Sequence, residues 1–266
     1  EMCIRDSPSS YWVPLRVLFQ GLLVDNLLNM DLRSILSMIA VDNTLGRVLN
    51  PRQIHLTADS IRSGLGKPLS TKSRSLLKLP GWTYRSTLSG SGSSSDTIIG
   101  RRIQVKTREV TEWDQPFLSP GSKAQCTLVA RKDETGQSWE VALAPRRRIG
   151  STRGSTLEAT IQRHHQKQAN GDGLTEYYLR EMLKRADKVV SVNHAEEGGR
   201  FYHAQTNYQI ILMDRSKLPT APNEWQWIHL DVADALIADG DCVSVEARTC
   251  IAMLTAAVTS IGSDDK

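Results

Sequence analysis

The chain has only four cysteines in 266 residues, with no C-x-x-C pair and no His/Cys cluster at metal-ligand spacing. That excludes a disulfide-stapled scaffold and a zinc module. Residues 1–7 (EMCIRDS) back-translate onto a transposon-end adapter, so they are read as an adapter-derived scar and set aside with Cys3. Cys126, Cys242 and Cys250 remain, an odd number that fits the reduced, buried thiols of a cytoplasmic protein. No stretch approaches the roughly 18 consecutive apolar residues of a membrane-spanning helix. The glycines of Ser86–Asp96 (STLSGSGSSSD), read as a flexible loop, lack the following Lys-Ser/Thr of a phosphate-cradling P-loop. Basic residues cluster at Arg101-Arg102 and Arg146-Arg147-Arg148, with Arg153 and Arg163 nearby. Aromatic residues do not interleave with these clusters, which argues against a nucleic-acid surface and for solvated surface plus an anionic-ligand site.

What the chain does contain is a duplication. Residues 12–39 (WVPLRVLFQGLLVDNLLNMDLRSILSMI) align without a gap onto residues 227–254 (WIHLDVADALIADGDCVSVEARTCIAML) at a constant offset of 215. Trp12 falls on Trp227, Leu15 on Leu230, Val17 on Val232, Arg33 on Arg248 and Met38 on Met253. Asp31 pairs with Glu246, Ser34 with Thr249, and Asn29 with Ser244; Asn and Ser are both good N-caps, so each copy reads as helix, turn, capped helix. Self-similarity at so long a period means a duplicated domain rather than a solenoid. The expected organisation is residues 8–40 as the C-terminal helix pair of a truncated first repeat and 41–58 as a linker. Residues 59–258 would form a complete second repeat, and 259–266 a disordered tail.

Along the chain, apolar periodicity predicts helices at Leu15–Asp25, Met30–Ala40, Ile54–Gly64 and Leu174–Ala186, the last with acids early and bases late as the helix dipole prefers. Leu76–Trp82 reads as a short element ended by Pro80-Gly81. Strand-like runs lie at Ile98–Val110, Ala124–Arg131, Trp139–Ala144, Lys188–Val192 and Gly199–Met213, rich in β-branched and aromatic residues. Strands mixed irregularly with helices, with few βαβ intervals, argue for α+β rather than a doubly wound sheet.

The most specific strings are Arg108-Glu109-Val110-x-x-Trp113-Asp114-Gln115-Pro116 and Gly154-x-Thr156-Leu157-Glu158-Ala159-Thr160. Glu197-Gly198-Gly199-Arg200-Phe201-Tyr202, Asn207-Tyr208 and Ser244-Val245-Glu246-Ala247-Arg248 follow. In this order, with the NMDLRSIL copy upstream, they resemble the NDP-hexose 2,3-dehydratases of deoxysugar pathways. Those proteins consist of two homologous repeats with a Nudix-like mixed sheet and flanking helices, and the resemblance runs from about residue 12 to residue 258. It implies a lyase without cofactor or metal, acting as a homodimer on a dTDP-4-keto-6-deoxyhexose. The 4-ketone acidifies the C3 hydrogen, a base removes it, the C2 hydroxyl leaves as water, and the enol tautomerises to a 3,4-diketo-2-deoxy sugar. This needs a base near C3, an acid for the departing hydroxyl and donors for the enolate charge. The chain departs from the family at Ala144-Pro145-Arg146, where a Glu-Pro-Gly-type turn is usual, and at Glu158, where Gln is usual before Ala-Thr.

The resemblance implies roles at matching positions. Tyr202 and Glu158 are the catalytic candidates; Trp113, Gln115, Thr156, Thr160, Arg200 and Asn207 are the substrate-binding ones. Trp113 and Gln115 either stack on and bond a base or sugar, or form a packed indole and a turn amide. Thr156, Glu158 and Thr160 alternate on one face of a strand or loop edge, a pattern a solvated strand shares. Arg200 is either a diphosphate clamp, given the bidentate geometry of guanidinium, or an ion pair with Glu197. Tyr202 and His203 fall on opposite faces if the run is a strand, and His164-His165 is a base or a solvated pair. Arg33 and Arg248, alike in both copies, read as structural anchors through Asp31 or Glu246. The alternative function is a non-catalytic nucleotide-sugar-binding or dimerisation repeat. A true Nudix hydrolase is excluded: beside REVTEW at Arg108–Trp113, position 100 is Gly100 rather than Glu, position 94 is Ser94 rather than Gly, and Trp113 replaces a magnesium carboxylate.

Overall fold

The computed structural model describes residues 12–44, 48–73, 75, 78, 82–84, 88–90, 97–106, 109–163, 173–219 and 224–261. Helices α1 (Leu15–Gly21), α2 (Met30–Thr44) and α3 (Pro51–Gly64) come first. A four-stranded antiparallel sheet follows, ordered β1 (Trp82–Tyr84), β2 (Leu88–Gly90), β3 (Thr97–Gln104), β4 (Glu112–Ser119). The main sheet runs β11 (Gln226–His229), β6 (Trp139–Arg147), β5 (Ala124–Lys132), β10 (Gln205–Leu212), β9 (Lys188–Ala195). β7 (Ser155–Ala159) pairs with β6, and β8 (Ile161–Arg163) pairs with β5. Among the described strands only β5 and β10 pair in parallel; the other ladders are antiparallel, so the fold is α+β with a mixed sheet, as expected.

β5 is buried on both faces, which is why its sequence lacks strict alternation. On one side Cys126, Leu128 and Ala130 join Leu143, Leu157, Tyr208 and Ile210 beneath α5 (Leu230–Ala238) and α6 (Val245–Ile261). On the other, Val129, Ala142, Ile161 and Ile211 pack on Leu179 and Met182 of α4 (Gly173–Arg185). Thr160 sits where β7 ends and β8 begins. Its hydroxyl accepts from Val129 N at 2.9 Å and donates to Ala142 O at 2.6 Å, standing in for backbone where the chain crosses from β6 to β5.

The two helix pairs that the sequence aligns start at equivalent residues. α1 and α5 begin at Leu15 and Leu230, and α2 and α6 at Met30 and Val245, each 215 positions apart. The caps match as well: Asn29 Oδ1 accepts from Leu32 N at 2.9 Å, and Ser244 Oγ accepts from Ala247 N at 3.2 Å. The first pair docks on the second, α2 packing on α6 and α5. The turn after α1 caps the edge strand β9, where Asn26 N donates to Asn193 O at 2.9 Å and Asn193 N to Asp25 Oδ1 at 2.7 Å.

Several boundaries differ from expectation. α1 stops at Gly21 rather than Asp25, because residues 22–26 are the turns that meet β9. α2 continues to Thr44, and α3 begins at Pro51 behind the Asn50 cap, both within the span read as linker. α6 runs to Ile261, into the span read as a disordered tail. The run Ile98–Val110 is strand only to Gln104, and the Trp113 motif lies on a separate strand, β4. Gly199–Met213 is a strand only from Gln205; before it the chain turns through Gly199 (φ 98°) and His203 (φ 54°), so Tyr202 and His203 do not alternate on a strand. Leu88–Gly90, inside the expected loop Ser86–Asp96, forms β2; the rest of that loop, His164-His165 and residues 1–7 lie outside the described residues.

Candidate functional site

A cavity of about 350 Å³ opens where the two capped helices meet the sheet. Met30 and Val245, equivalent first residues of α2 and α6, both line it. Its walls come from the start of β5, from β8, from the turn between β9 and β10, and from Arg148 on the β6–β7 connection. β7 places α6 there: Leu157 N donates to Cys242 O at 2.8 Å and Ser244 N to Leu157 O at 2.9 Å, locking the capping serine onto the strand. The volume lies at the low end of the ~300–1,000 Å³ usual for small-molecule sites, enough for a sugar and phosphates.

Three arginines reach this cavity, each held by a carboxylate. Arg148 Nε lies 2.8 Å from Glu158 Oε1 and its Nη2 3.6 Å from Glu246 Oε2; Arg163 lies 2.6 Å from Glu176, and Arg200 3.3 Å from Glu197. Burial works to lower the pKa of Arg148, but the charges of Glu246 and Glu158 hold it above the ordinary guanidinium range. Arg148 Nη2, Glu246 Oε2 and both amide atoms of Gln162 are buried without a hydrogen-bond partner among the described residues. Arg148 Nη2 and Glu246 Oε2 face each other as an ion pair, whereas the Gln162 amide has no hydrogen-bond partner among the described residues, unusual for a buried polar group. Opposite them stands Glu196, whose Oε1 accepts from the hydroxyls of Thr206 and, at 3.4 Å, Tyr208. Burial, and then the Glu196 charge, push the Tyr208 phenol well above its ordinary pKa, so Tyr208 donates as neutral O–H.

The sequence candidates distribute unevenly around this cavity. Arg200 lines it and also pairs with Glu197. Glu158 and Thr156 are buried on β7 behind the wall, Glu158 against Arg148 and Thr156 with its hydroxyl 3.3 Å from Ser151 Oγ. Leu157 and Ala159 are buried too, so β7 has no solvated face. Thr160 spends its hydroxyl on the sheet. Trp113 Nε1 donates to Gln115 Oε1 at 2.9 Å, and Gln115 Nε2 donates to Gly199 O, fastening β4 to the turn that carries Arg200. Tyr202 is not a lining residue; its ring meets Phe117 and His203 edge-on, with the Arg101 guanidinium 4.7 Å from its centroid. Asn207 bonds Ser191 and Asn193 across β9. Arg33 and Arg248 are not anchored alike. Arg33 bonds carbonyls rather than Asp31, whereas Arg248 is half-buried, its pKa lowered by burial against the opposing charge of Glu246.

Sequence reasoning missed Glu196, Gln162 and Arg148 as site residues. Glu196 carried a signal, standing next to the quoted Glu197-Gly198-Gly199-Arg200 string, and Arg148 stood in the basic cluster read as an anionic-ligand site. Gln162 carried none: a glutamine two residues past Thr160 becomes informative only once its amide is seen buried and unpaired.

The model for NDP-hexose 2,3-dehydratases matches residues 64–254. The chain is 29% identical over 255 residues to a dTDP-4-dehydro-6-deoxy-alpha-D-glucopyranose 2,3-dehydratase of Streptomyces violaceoruber, covering 91% of this chain and 56% of that protein. It is 22% identical over 288 residues to a protein of the same name from Saccharopolyspora spinosa, covering 93% and 56%. The chain thus spans little more than half the length of these curated relatives. Among solved structures it is similar to an ADP compounds hydrolase, with a TM-score of 0.41 at 11% identity over 71% of this chain and 99% of that one. A Nudix hydrolase from M. smegmatis, RenU, follows with a TM-score of 0.32 at 15% identity over 60% and 97%. With its motifs in family order and the family model spanning well over half its residues, this chain belongs to the NDP-hexose 2,3-dehydratase family.

Proposed function

We propose that the cavity between α2, α6 and the β9–β10 turn eliminates water across C2–C3 of a dTDP-linked 4-keto-6-deoxyhexose, the chain working as a cytoplasmic homodimer. The observation that carries this reading is the make-up of the cavity: three arginines, the first residues of two capped helices, and Glu196 with one oxygen engaged by two hydroxyls line the same space. Helix N-termini and guanidinium groups suit a diphosphate. Glu196, with Oε1 taken by Thr206 and Tyr208, has Oε2 left to take the C3 proton. The electron pair of the C3–H bond forms the C3=C4 enolate, whose oxygen suits Gln162 Nε2, a buried donor without a partner among the described residues, and the charge of Arg148. Collapse of the enolate re-forms the C4=O bond and makes C2=C3 as the C2–O bond breaks; the hydroxyl leaves as water with the proton Glu196 took from C3, and the resulting enol tautomerises to the 3,4-diketone. Glu158 supports this indirectly by holding Arg148. Trp113 and Gln115 support the turn that carries Arg200. The reading also takes α1 and α2 as the helix pair of a preceding repeat, supported by the matched boundaries and caps.

The test incubates the chain, its mass in solution measured alongside, with dTDP-4-keto-6-deoxyglucose and traps the vicinal diketone with an aromatic diamine. Glu196→Gln is expected to lower kcat by about 10²–10⁴-fold, the usual worth of a positioned base, while dTDP binding measured by calorimetry persists. Binding without turnover by the unsubstituted chain would leave the nucleotide-sugar-binding repeat as the function.

A further inference from the structure

Arg33 is 0% exposed, yet none of its hydrogen-bond partners among the described residues carries a charge. Nη1 donates to Leu28 O at 3.0 Å and to Ala195 O at 3.2 Å, and Nη2 donates to the same Ala195 oxygen at 3.2 Å. The guanidinium carbon lies 5.6 Å from the centroid of the Tyr208 ring. Stripping a guanidinium of water for neutral partners is expensive, and a helix pair that only needed docking could do without it. Arg248, at the same place in the second copy, is only half-buried, while the Nε of both arginines lacks a hydrogen-bond partner among the described residues. The matching sequence positions therefore do not impose this arrangement.

Both reaches of Arg33 end at one residue. The doubly bonded carbonyl belongs to Ala195, whose peptide leads directly into Glu196. The ring under the guanidinium belongs to Tyr208, whose hydroxyl donates to Glu196 Oε1. We propose that Arg33, delivered by the first-copy helix α2, is a positioning residue that fixes the Glu196 carboxylate of the second-copy site from behind. Clamping the Ala195 carbonyl sets where the Glu196 backbone starts, and seating the Tyr208 ring sets where its carboxylate ends. Oε2 then points at the substrate in a single orientation. The helix pair is on this account part of the working site rather than a passenger on it. The inference rests on the reading of Glu196 as the base.

The experiment uses the full chain with Arg33→Met, Arg33→Lys and Asp25→Ala. The last removes the acceptor that ties the α1–α2 turn to Asn193 of β9 and leaves Arg33 in place. Turnover of dTDP-4-keto-6-deoxyglucose gives kcat and KM separately, and calorimetry gives the affinity for dTDP. Arg33→Met is expected to lose at least about tenfold in kcat, with KM and dTDP affinity within about twofold, because misorienting a base costs rate before it costs binding. Arg33→Lys, which keeps the charge but not the forked donation, is expected to recover part of that loss; Asp25→Ala is expected to keep kcat within about twofold. Unchanged kcat in Arg33→Met overturns the proposal, as does a loss shared equally by dTDP affinity or reproduced by Asp25→Ala. Should Arg33→Met not fold, Arg33→Lys decides: a lowered kcat at constant KM supports the role, and an unchanged kcat overturns it. If the unsubstituted chain does not turn over, or Glu196→Gln turns over normally, the base assignment fails instead, a result distinct from any Arg33 phenotype.

Discussion

His194 makes the docking of the first helix pair sensitive to acid. The ring is wholly buried on β9, with Nε2 3.0 Å from Leu22 O, so the neutral ring carries its proton on Nε2 and donates it to that carbonyl. Nδ1 is buried without a hydrogen-bond partner among the described residues. Charging the ring would place a proton on Nδ1 with nothing to accept it. Burial, and next the nearby Arg33 charge, lower its pKa from 6.5 to about 4, against smaller opposing effects of the Leu22 carbonyl and Asp25. A histidine with a depressed folded pKa favours folding fully above its unfolded value. That contribution is lost as pH falls from about 6.5 toward 4, because only the unfolded chain can take up the proton. The whole shift is worth about 3 kcal/mol, of which about 2 kcal/mol is gone by pH 5. The carboxylates of Asp25, Asp133, Asp187 and Asp241, held below their ordinary range, titrate at lower pH and leave the window from 7 to 5 to histidine. Urea unfolding at pH 7, 6 and 5 reads the effect, with His194→Gln as reference because its amide can still donate to Leu22 O without titrating. The unsubstituted chain should lose about 2 kcal/mol more than His194→Gln between pH 7 and 5. Parallel losses in the two proteins would refute the reasoning.

Two substitutions probe the frame of the site. Gly154→Ala would put a Cβ 2.5 Å from Lys67 O and 2.9 Å from Leu65 O, backbone atoms already tied to this strand by Gly154 N→Gly66 O and Ser155 N→Leu65 O. A cost of about 1–3 kcal/mol is expected in thermal unfolding, and an unchanged Tm would show that the α3–β7 contact yields more easily than its geometry suggests. Thr160→Val keeps the shape but strands Val129 N and Ala142 O, for an expected loss of about 2–4 kcal/mol, whereas Thr160→Ser should keep most of the stability. Equal stability of the valine and serine variants would remove Thr160 from the sheet's hydrogen bonding.

What could be read from the sequence was periodic or local. The helices α2, α4 and α6, the strands β5, β6 and β9, and both N-caps follow from apolar spacing and cap chemistry within a few residues of one another. β4 was missed as a strand although its burial alternates, because the Trp113-Asp114-Gln115-Pro116 motif reads as a ligand contact or a turn. β7 reads as a strand or loop edge, but the solvated face is not found: it is hydrogen-bonded by β6 along one edge and by the Cys242–Ser244 segment along the other, and is buried from Thr156 to Ala159. The site was legible only where a motif named it. Arg200 was readable as a guanidinium beside glycines, but Glu196, Gln162 and Arg148 acquire meaning from their surroundings in one cavity: hydroxyls on Glu196, two carboxylates on Arg148, and no partner among the described residues for the Gln162 amide. Spacing along a chain does not report that.

The duplication marks a deeper boundary of what pattern can tell. Met38 and Met253 are the same residue at the same repeat position on matched helices, yet Met38 is 55% exposed and Met253 is not exposed at all. Ile35 and Cys250, three residues earlier, divide in the same way, 53% against 0%. So do Leu15 and Val17 against Leu230 and Val232. The second-copy residues lie in the core over β5, β7 and β10. The first-copy helices instead meet the second copy through the opposite side of the pair, where Leu36 and Leu22, equivalent to Ile251 and Ile237, are buried in both copies. The helix pattern therefore encodes two apolar faces: one that joins the two helix pairs, and one that in the second copy lies over a sheet. Hydrophobic periodicity counts those faces correctly, but only contacts assign a cover to each. That is why Arg33, equal to Arg248 by sequence, could be given its place beside Glu196 only from the structure.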